Sequence, residues 1–104
     1  MYRWIFSALL LSSTSIIFAQ DATRGENLYK ANNCIQCHGP NGQGVTDQKG
    51  PRIGGQYDWY VLKALSDFKK GERNNPEMYP YIRNLSEQDY KDLSAYVSQL
   101  SGQD

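Results

Sequence analysis

Three stretches of the chain carry helical periodicity. Over residues 22–32, Leu28, Tyr29 and Ala31 share one side, and Thr23 and Glu26 stand at the spacing of a capping box. Over residues 57–70, Val61, Leu62, Leu65 and Phe68 recur at helical spacing. That stretch closes on two lysines and Gly71, the cations and the glycine that helix C-termini favour. The third pattern is the most regular: Ser86 is a cap with Asp89 three residues on, Tyr90, Leu93, Tyr96, Val97 and Leu100 follow one face, and Gly102 ends it. No stretch alternates convincingly as a strand does, so the pattern predicts an all-α domain of short helices.

Two connections without periodicity separate these helices. Residues 39–56 hold six of the nine glycines, and residues 72–85 include Pro76 and Pro80. Connections of that length in a small domain imply function or a ligand to be wrapped. Gly42-x-Gly44 is loop punctuation and no nucleotide fingerprint, because no strand precedes it.

The N-terminal segment reads differently. Met1-Tyr2-Arg3 brings one positive charge, Trp4 to Leu11 is mostly apolar, and Ile16-Ile17-Phe18-Ala19 leads to Gln20-Asp21. This is the layout of a secretory signal peptide over residues 1–19, cleaved after Ala19, followed by a single domain over residues 20–104. An uncleaved anchor would need about 18–20 unbroken apolar residues, and serines and a threonine interrupt this one. Export places the domain in the periplasm, with no stable membrane insertion once the leader is gone. Eleven basic side chains balance eleven acidic ones, so no strong field points to nucleic acid or an anionic surface. With 39% hydrophobic residues overall and many of them in the leader, the domain is short of core material, and a non-peptidic group is expected to complete it.

Cys34-Ile35-Gln36-Cys37-His38 is the C-x-x-C-H signature of covalent c-type haem attachment. Two thiols three residues apart in a turn can form thioethers to the two vinyl groups of one porphyrin, and the next residue aims its imidazole at the iron. A redox dithiol or structural disulfide is one rival, though such a dithiol is expected beside a βαβ pattern that this chain lacks. Zinc is another, but it normally takes four ligands and these three exhaust the Cys and His inventory. With one histidine, bis-histidine ligation within the chain is impossible, and the sixth iron position falls to Met78, the one methionine outside the leader. A methionine is commonly core filler; this one lies mid-loop among polar residues. His/Met ligation raises the reduction potential and leaves no open site for substrate.

Gly25-x-x-Leu28-Tyr29, Cys34-x-x-Cys37-His38-Gly39, Gly50-Pro51-x-Ile53-x-Gly55-Gln56, Phe68-x-x-Gly71-x-Arg73, Met78 and Leu85-Ser86 leading to Leu93-x-x-Tyr96 together resemble the class I c-type cytochromes. More narrowly, the chain resembles the small bacterial cytochrome c553 group and one half of the cytochrome c4 group. The resemblance implies a class I cytochrome c fold, with three main helices and long loops around one covalently bound haem c. It implies that the N- and C-terminal helices cross at right angles, Gly25 meeting the face of Leu93, Tyr96 and Val97. It also implies that the Pro51 carbonyl accepts the ring N–H of His38 and so orients the iron ligand. Tyr57, Trp59, Arg52 and Arg73 offer donors for the haem propionates.

The leading functional reading is a soluble exported carrier that cycles between Fe(II) and Fe(III), catalyses no bond chemistry and meets redox protein partners briefly. A second is the haem subunit of a multi-component periplasmic dehydrogenase, which an exposed patch at Tyr79 and Tyr81 would favour. A third, a haem enzyme or gas sensor with an open iron site, requires Met78 to be off the iron.

Overall fold

The computed structural model describes residues 20–104, and the expected leader over residues 1–19 lies outside them. The three expected helices are present as α1 (Ala22–Ala31), α3 (Asp58–Lys70) and α5 (Glu87–Gln99). Two short helices join them: α2 (Cys34–His38) and α4 (Tyr79–Ile82). A 3-10 turn spans Thr46–Gln48, and strand-type pairing is limited, among the described residues, to an isolated bridge between Val45 and Gly50. The all-α expectation agrees with this architecture.

Helix ends follow the local chemistry with one exception. At α5 the Ser86 side chain accepts from the Asp89 N–H at 3.1 Å, and the Asp89 carboxylate accepts from the Ser86 N–H at 2.8 Å, a complete capping box. At α3, Gly71 adopts φ +76° and its N–H returns to the last carbonyls, the geometry for which a glycine is needed. The exception is α1. Its cap is Asp21, accepting from the Arg24 N–H at 3.0 Å, in place of the Thr23 and Glu26 box expected from spacing. Asp21 prevails because its own N–H is also engaged, donating to Asp92 Oδ1 at 2.9 Å, so the start of α1 is pinned to α5. At the far end α5 stops at Gln99 rather than running to Gly102, whose φ of +68° belongs to the turn that follows.

Tyr29, Leu65, Phe68, Ile82, Tyr90, Leu93 and Val97 form the buried core, with Leu28, Ile35, Ile53, Val61, Leu62, Met78 and Tyr96 packed against it. Helices α1 and α5 approach closely at Gly25. A Cβ there would overlap the Asp92 carbonyl and come within 2.9 Å of the Tyr96 Cβ. The glycine thus meets Asp92 and Tyr96, while Leu93 and Val97 turn inward to the core. Beside the crossing, Arg24 pairs with Asp92 at 2.7 Å and with Asp89 at 2.5 Å. Asp92 is almost fully buried; Gln88 Nε2 donates to the carboxylate oxygen, Oδ1, that also takes the Asp21 N–H. A buried carboxylate needs this density of donors to remain charged.

Two outcomes follow from the crossing. Gly25→Ala gains roughly 1 kcal/mol of helix propensity but forces a methyl into a backbone carbonyl, and overpacking of that kind costs about 1–3 kcal/mol or more where the neighbour cannot yield. A net loss of stability is expected in guanidinium unfolding of the purified protein, and a stabilised Gly25→Ala would contradict the close approach. Burial alone would push the Asp92 and Asp89 carboxyls up, but hydrogen bonds from Arg24, Gln88 and backbone N–H groups outweigh it and hold both below the ordinary carboxylate range. Their stabilisation is full above the unfolded carboxylate pKa and is lost as pH falls through the depressed folded values. Acid unfolding followed by circular dichroism is therefore expected to be steeper for wild type than for Asp92→Asn, and equal slopes would remove Asp92 from the account.

Candidate functional site

Local backbone geometry builds the cysteine motif into a single helical turn. Asn33 enters it in the left-handed region at φ +59°, α2 carries Cys34, Cys37 and His38 on its one turn, and Gly39 leaves it at φ +81° with its N–H on the Ile35 carbonyl. The following loop folds back over this turn. Gly44 N–H donates to the His38 carbonyl at 2.7 Å and Val45 N–H to the Cys37 carbonyl at 3.0 Å. Gly50 closes the bridge to Val45 so near α2 that a Cβ on it would overlap the Cys37 carbonyl.

That close seating delivers Pro51 to the histidine. The Pro51 carbonyl oxygen lies 2.8 Å from His38 Nδ1. A carbonyl can only accept, so Nδ1 carries the proton and Nε2 keeps its lone pair for a ligand bond. His38 is itself buried, at 6% exposure, and lines a cavity of about 360 Å³. Cys34 and Cys37 stand on the same wall, with Pro51, Arg52 and Ile53 from the loop. The rest of the lining comes from α3, through Tyr60, Val61, Ala64, Leu65 and Phe68, and from the segment holding Asn75, Met78 and Tyr81. The two thiols, the single histidine and the one described methionine thus line one largely apolar cavity.

Met78 is less irregular in placement than its sequence context implies. It occupies the cap position of α4 in right-handed helical geometry; its N–H is held by Asn75 Oδ1 at 3.1 Å, and its carbonyl receives the Tyr81 N–H at 3.0 Å. The expected propionate donors divide. Arg52 and Arg73 line the cavity, with the Arg73 guanidinium 5.0 Å over the Phe68 ring. Tyr57 and Trp59 do not line it: they stack on each other at 5.9 Å and are 68% and 59% exposed. Tyr60, which sequence reading passed over, is the aromatic of this group that reaches the cavity. Its signal was the four-residue phase it shares with Ala64 and Phe68.

The donor set suits a covalently held haem better than the rivals. Burial pushes the Cys34 thiol up to about 11, the reverse of the lowered value that makes a redox dithiol reactive. Neither cysteine is in a disulfide. Among the described residues, no group of three or more His, Cys, Asp and Glu side chains is arranged to hold a metal ion. A flat apolar group fits: the cavity lining offers it two thiols, an imidazole, a thioether and cations at Arg52 and Arg73. Gly50→Ala is expected to lift the loop off α2, lowering stability by about 1–3 kcal/mol and hastening solvent exchange of the His38 ring N–H in NMR spectra. Unchanged exchange would contradict the seating of Pro51.

Comparison with known proteins agrees with this geometry. The cytochrome c family profile matches residues 22–101. The chain is 40% identical over 100 residues to cytochrome c4 of Pseudomonas aeruginosa, covering 94% of this chain and 48% of that one. It is 35% identical over 83 residues to cytochrome c-554(548) of Halomonas halodenitrificans, covering 77% of this chain and 96% of that one. The crystal structure of reduced recombinant cytochrome c4 from Pseudomonas stutzeri superposes with a TM-score of 0.69 at 34% identity, over 76% of this chain and 47% of that chain. The chain therefore spans about half the length of the cytochrome c4 relatives it matches.

Proposed function

The chain belongs to the cytochrome c family, and on that premise we propose that it is an exported electron carrier with one haem c, held by thioethers from Cys34 and Cys37 and ligated by His38 and Met78. The observation that carries this reading is the convergence of those four side chains on one apolar cavity. Bound there, the haem supplies one-electron Fe(II)/Fe(III) chemistry.

The protein's own residues have three tasks. His38 presents Nε2 because Pro51 holds Nδ1–H, which fixes the ring and raises its donor strength. Met78 lines the same cavity and would serve as a soft, neutral second ligand, which favours reduced iron and leaves no open position for substrate. Val61, Leu65 and Phe68 exclude water, and Arg52 and Arg73 are placed to meet the propionates. This arrangement moves electrons without making or breaking substrate bonds. The leader over residues 1–19 is removed on export to the periplasm, and redox protein partners dock briefly. Among the described residues no helix is long and apolar enough to cross a membrane.

A second reading, a haem subunit in a lasting complex with a periplasmic dehydrogenase, draws on the exposed aromatics. Tyr79 and Tyr81 are 41% and 43% exposed, and the Tyr57, Trp59 and Tyr60 cluster adds more unsatisfied apolar surface. Elution of the native protein as a monomer, free of any stoichiometric partner, favours the carrier.

The intact mass of the exported protein is expected to equal the chain from Gln20 plus one haem, and its ferric form to show the weak charge-transfer band of methionine-ligated haem. Met78→Ala is expected to keep the haem attached, lose that band and fall in reduction potential. An exported protein without covalent haem, or a wild type without the band, would overturn the proposal.

A further inference from the structure

Two buried tyrosines play no part in the ligand set, yet each reaches from the α1/α5 pair to a backbone carbonyl close in sequence to His38 or Met78. Tyr29, on α1, is 1% exposed, and its hydroxyl donates to the Gly39 carbonyl at 2.6 Å. Gly39 is the residue after His38. Tyr90, on α5, is likewise 1% exposed, and its hydroxyl donates to the Ile82 carbonyl at 2.8 Å. Ile82 ends α4, the helix that Met78 caps.

The two contacts have the same construction. The Gly39 carbonyl already takes the Gly42 N–H at 3.2 Å, and the Ile82 carbonyl the Leu85 N–H at 3.1 Å. Each phenol thus adds a second donor to the carbonyl that closes a turn. Beyond bonds within the turn and from Asn33 to Lys30 at the end of α1, the bonds described on the histidine turn come from the loop that folds over it, at Gly42, Gly44, Val45 and Pro51. Tyr29 ties that turn to the helix pair, and its ring is further held against Tyr96 at 5.4 Å. Burial pushes both phenols above their ordinary range, so both remain protonated donors. A buried hydroxyl without a partner is unfavourable, and a hydrogen bond to a fixed carbonyl restricts the peptide that carries it.

We propose that Tyr29 and Tyr90 are paired positioning residues, Tyr29 setting the His38 segment and Tyr90 the Met78 segment against a shared helical frame. The proposal rests on the reading of His38 and Met78 as axial ligands. Each tyrosine acts through a backbone carbonyl and touches no ligand atom in the contacts described. The placement of the His38 segment relative to the Met78 segment is then set by the α1/α5 pair, which holds both rings.

The test uses haem-loaded Tyr29→Phe and Tyr90→Phe, which delete one hydroxyl each and keep the buried rings. Three quantities are read: solvent exchange of the His38 ring N–H, the denaturant concentration at which the methionine charge-transfer band disappears, and global helix loss by circular dichroism. Tyr29→Phe is expected to speed His38 ring exchange about five- to tenfold, and to move the reduction potential upward as the Pro51 bond loosens and ligand basicity falls. Its methionine band should persist until the helices melt. Tyr90→Phe should leave ring exchange at the wild-type rate and lose the band at a denaturant concentration where the helices remain intact. Each variant is the control for the other, since they match in burial and bond type. The proposal is overturned if both variants move both local readouts in parallel with global stability, or if neither local readout changes. A wild-type protein lacking the methionine band would instead overturn the ligand reading on which these roles depend.

Discussion

Helices α1 and α5 meet backbone against backbone at Gly25, and the position of nearly everything else follows from that contact. Because no Cβ intervenes, α1 lies low enough on α5 for Arg24 to reach both Asp89 and Asp92 and for the Asp21 N–H to reach Asp92 as well. One turn further along α1, Tyr29 is carried over Tyr96 and onto Gly39. The inward face of α5, with Leu93 and Val97, is left to pack with Leu65 and Phe68 of α3. The helix pair is therefore a frame to which the irregular segments are fastened.

Those segments supply the chemistry. A chain with few apolar residues outside its N-terminal stretch cannot close a core by itself, and here the core opens into a cavity lined by the loop, by α3 and by the Met78 segment. The glycine-rich loop adopts its path because close approach is required at Gly50, which sits against the Cys37 carbonyl. That approach places the Pro51 carbonyl on His38. Short range and rigidity suit electron transfer, in which the cofactor carries the redox change and the protein must hold its surroundings constant between the two states.

Much of this was legible in the amino-acid sequence, and the parts that were not have physical causes. Ser86 and Asp89, Gly71 and the Cys34-x-x-Cys37-His38 turn act within a few residues of themselves, so local spacing identifies them. The α1 cap went to Asp21 because a contact with Asp92, distant in sequence, decided between two local options. The burial of Asp89 and Asp92 on α5 leaves no local signal, since it depends on contacts such as that with Arg24 across the crossing. Helix α4 escaped notice because its one turn carries Pro80 and is held by Asn75 and by the tertiary contact to Tyr90. Tyr57 and Trp59 were plausible cavity donors until helical phase was fixed: starting α3 at Asp58 turns Tyr60, Ala64 and Phe68 toward the cavity and Trp59 outward.

The central claim is that the thiols, the histidine and the methionine gathered around this cavity hold one haem with His38 and Met78 on its two faces. Iron X-ray absorption on the purified holoprotein tests it most directly, because sulfur and nitrogen neighbours of the metal scatter differently. The account predicts one sulfur and otherwise nitrogen around iron in both oxidation states. A first coordination sphere without sulfur, in either state, would contradict it.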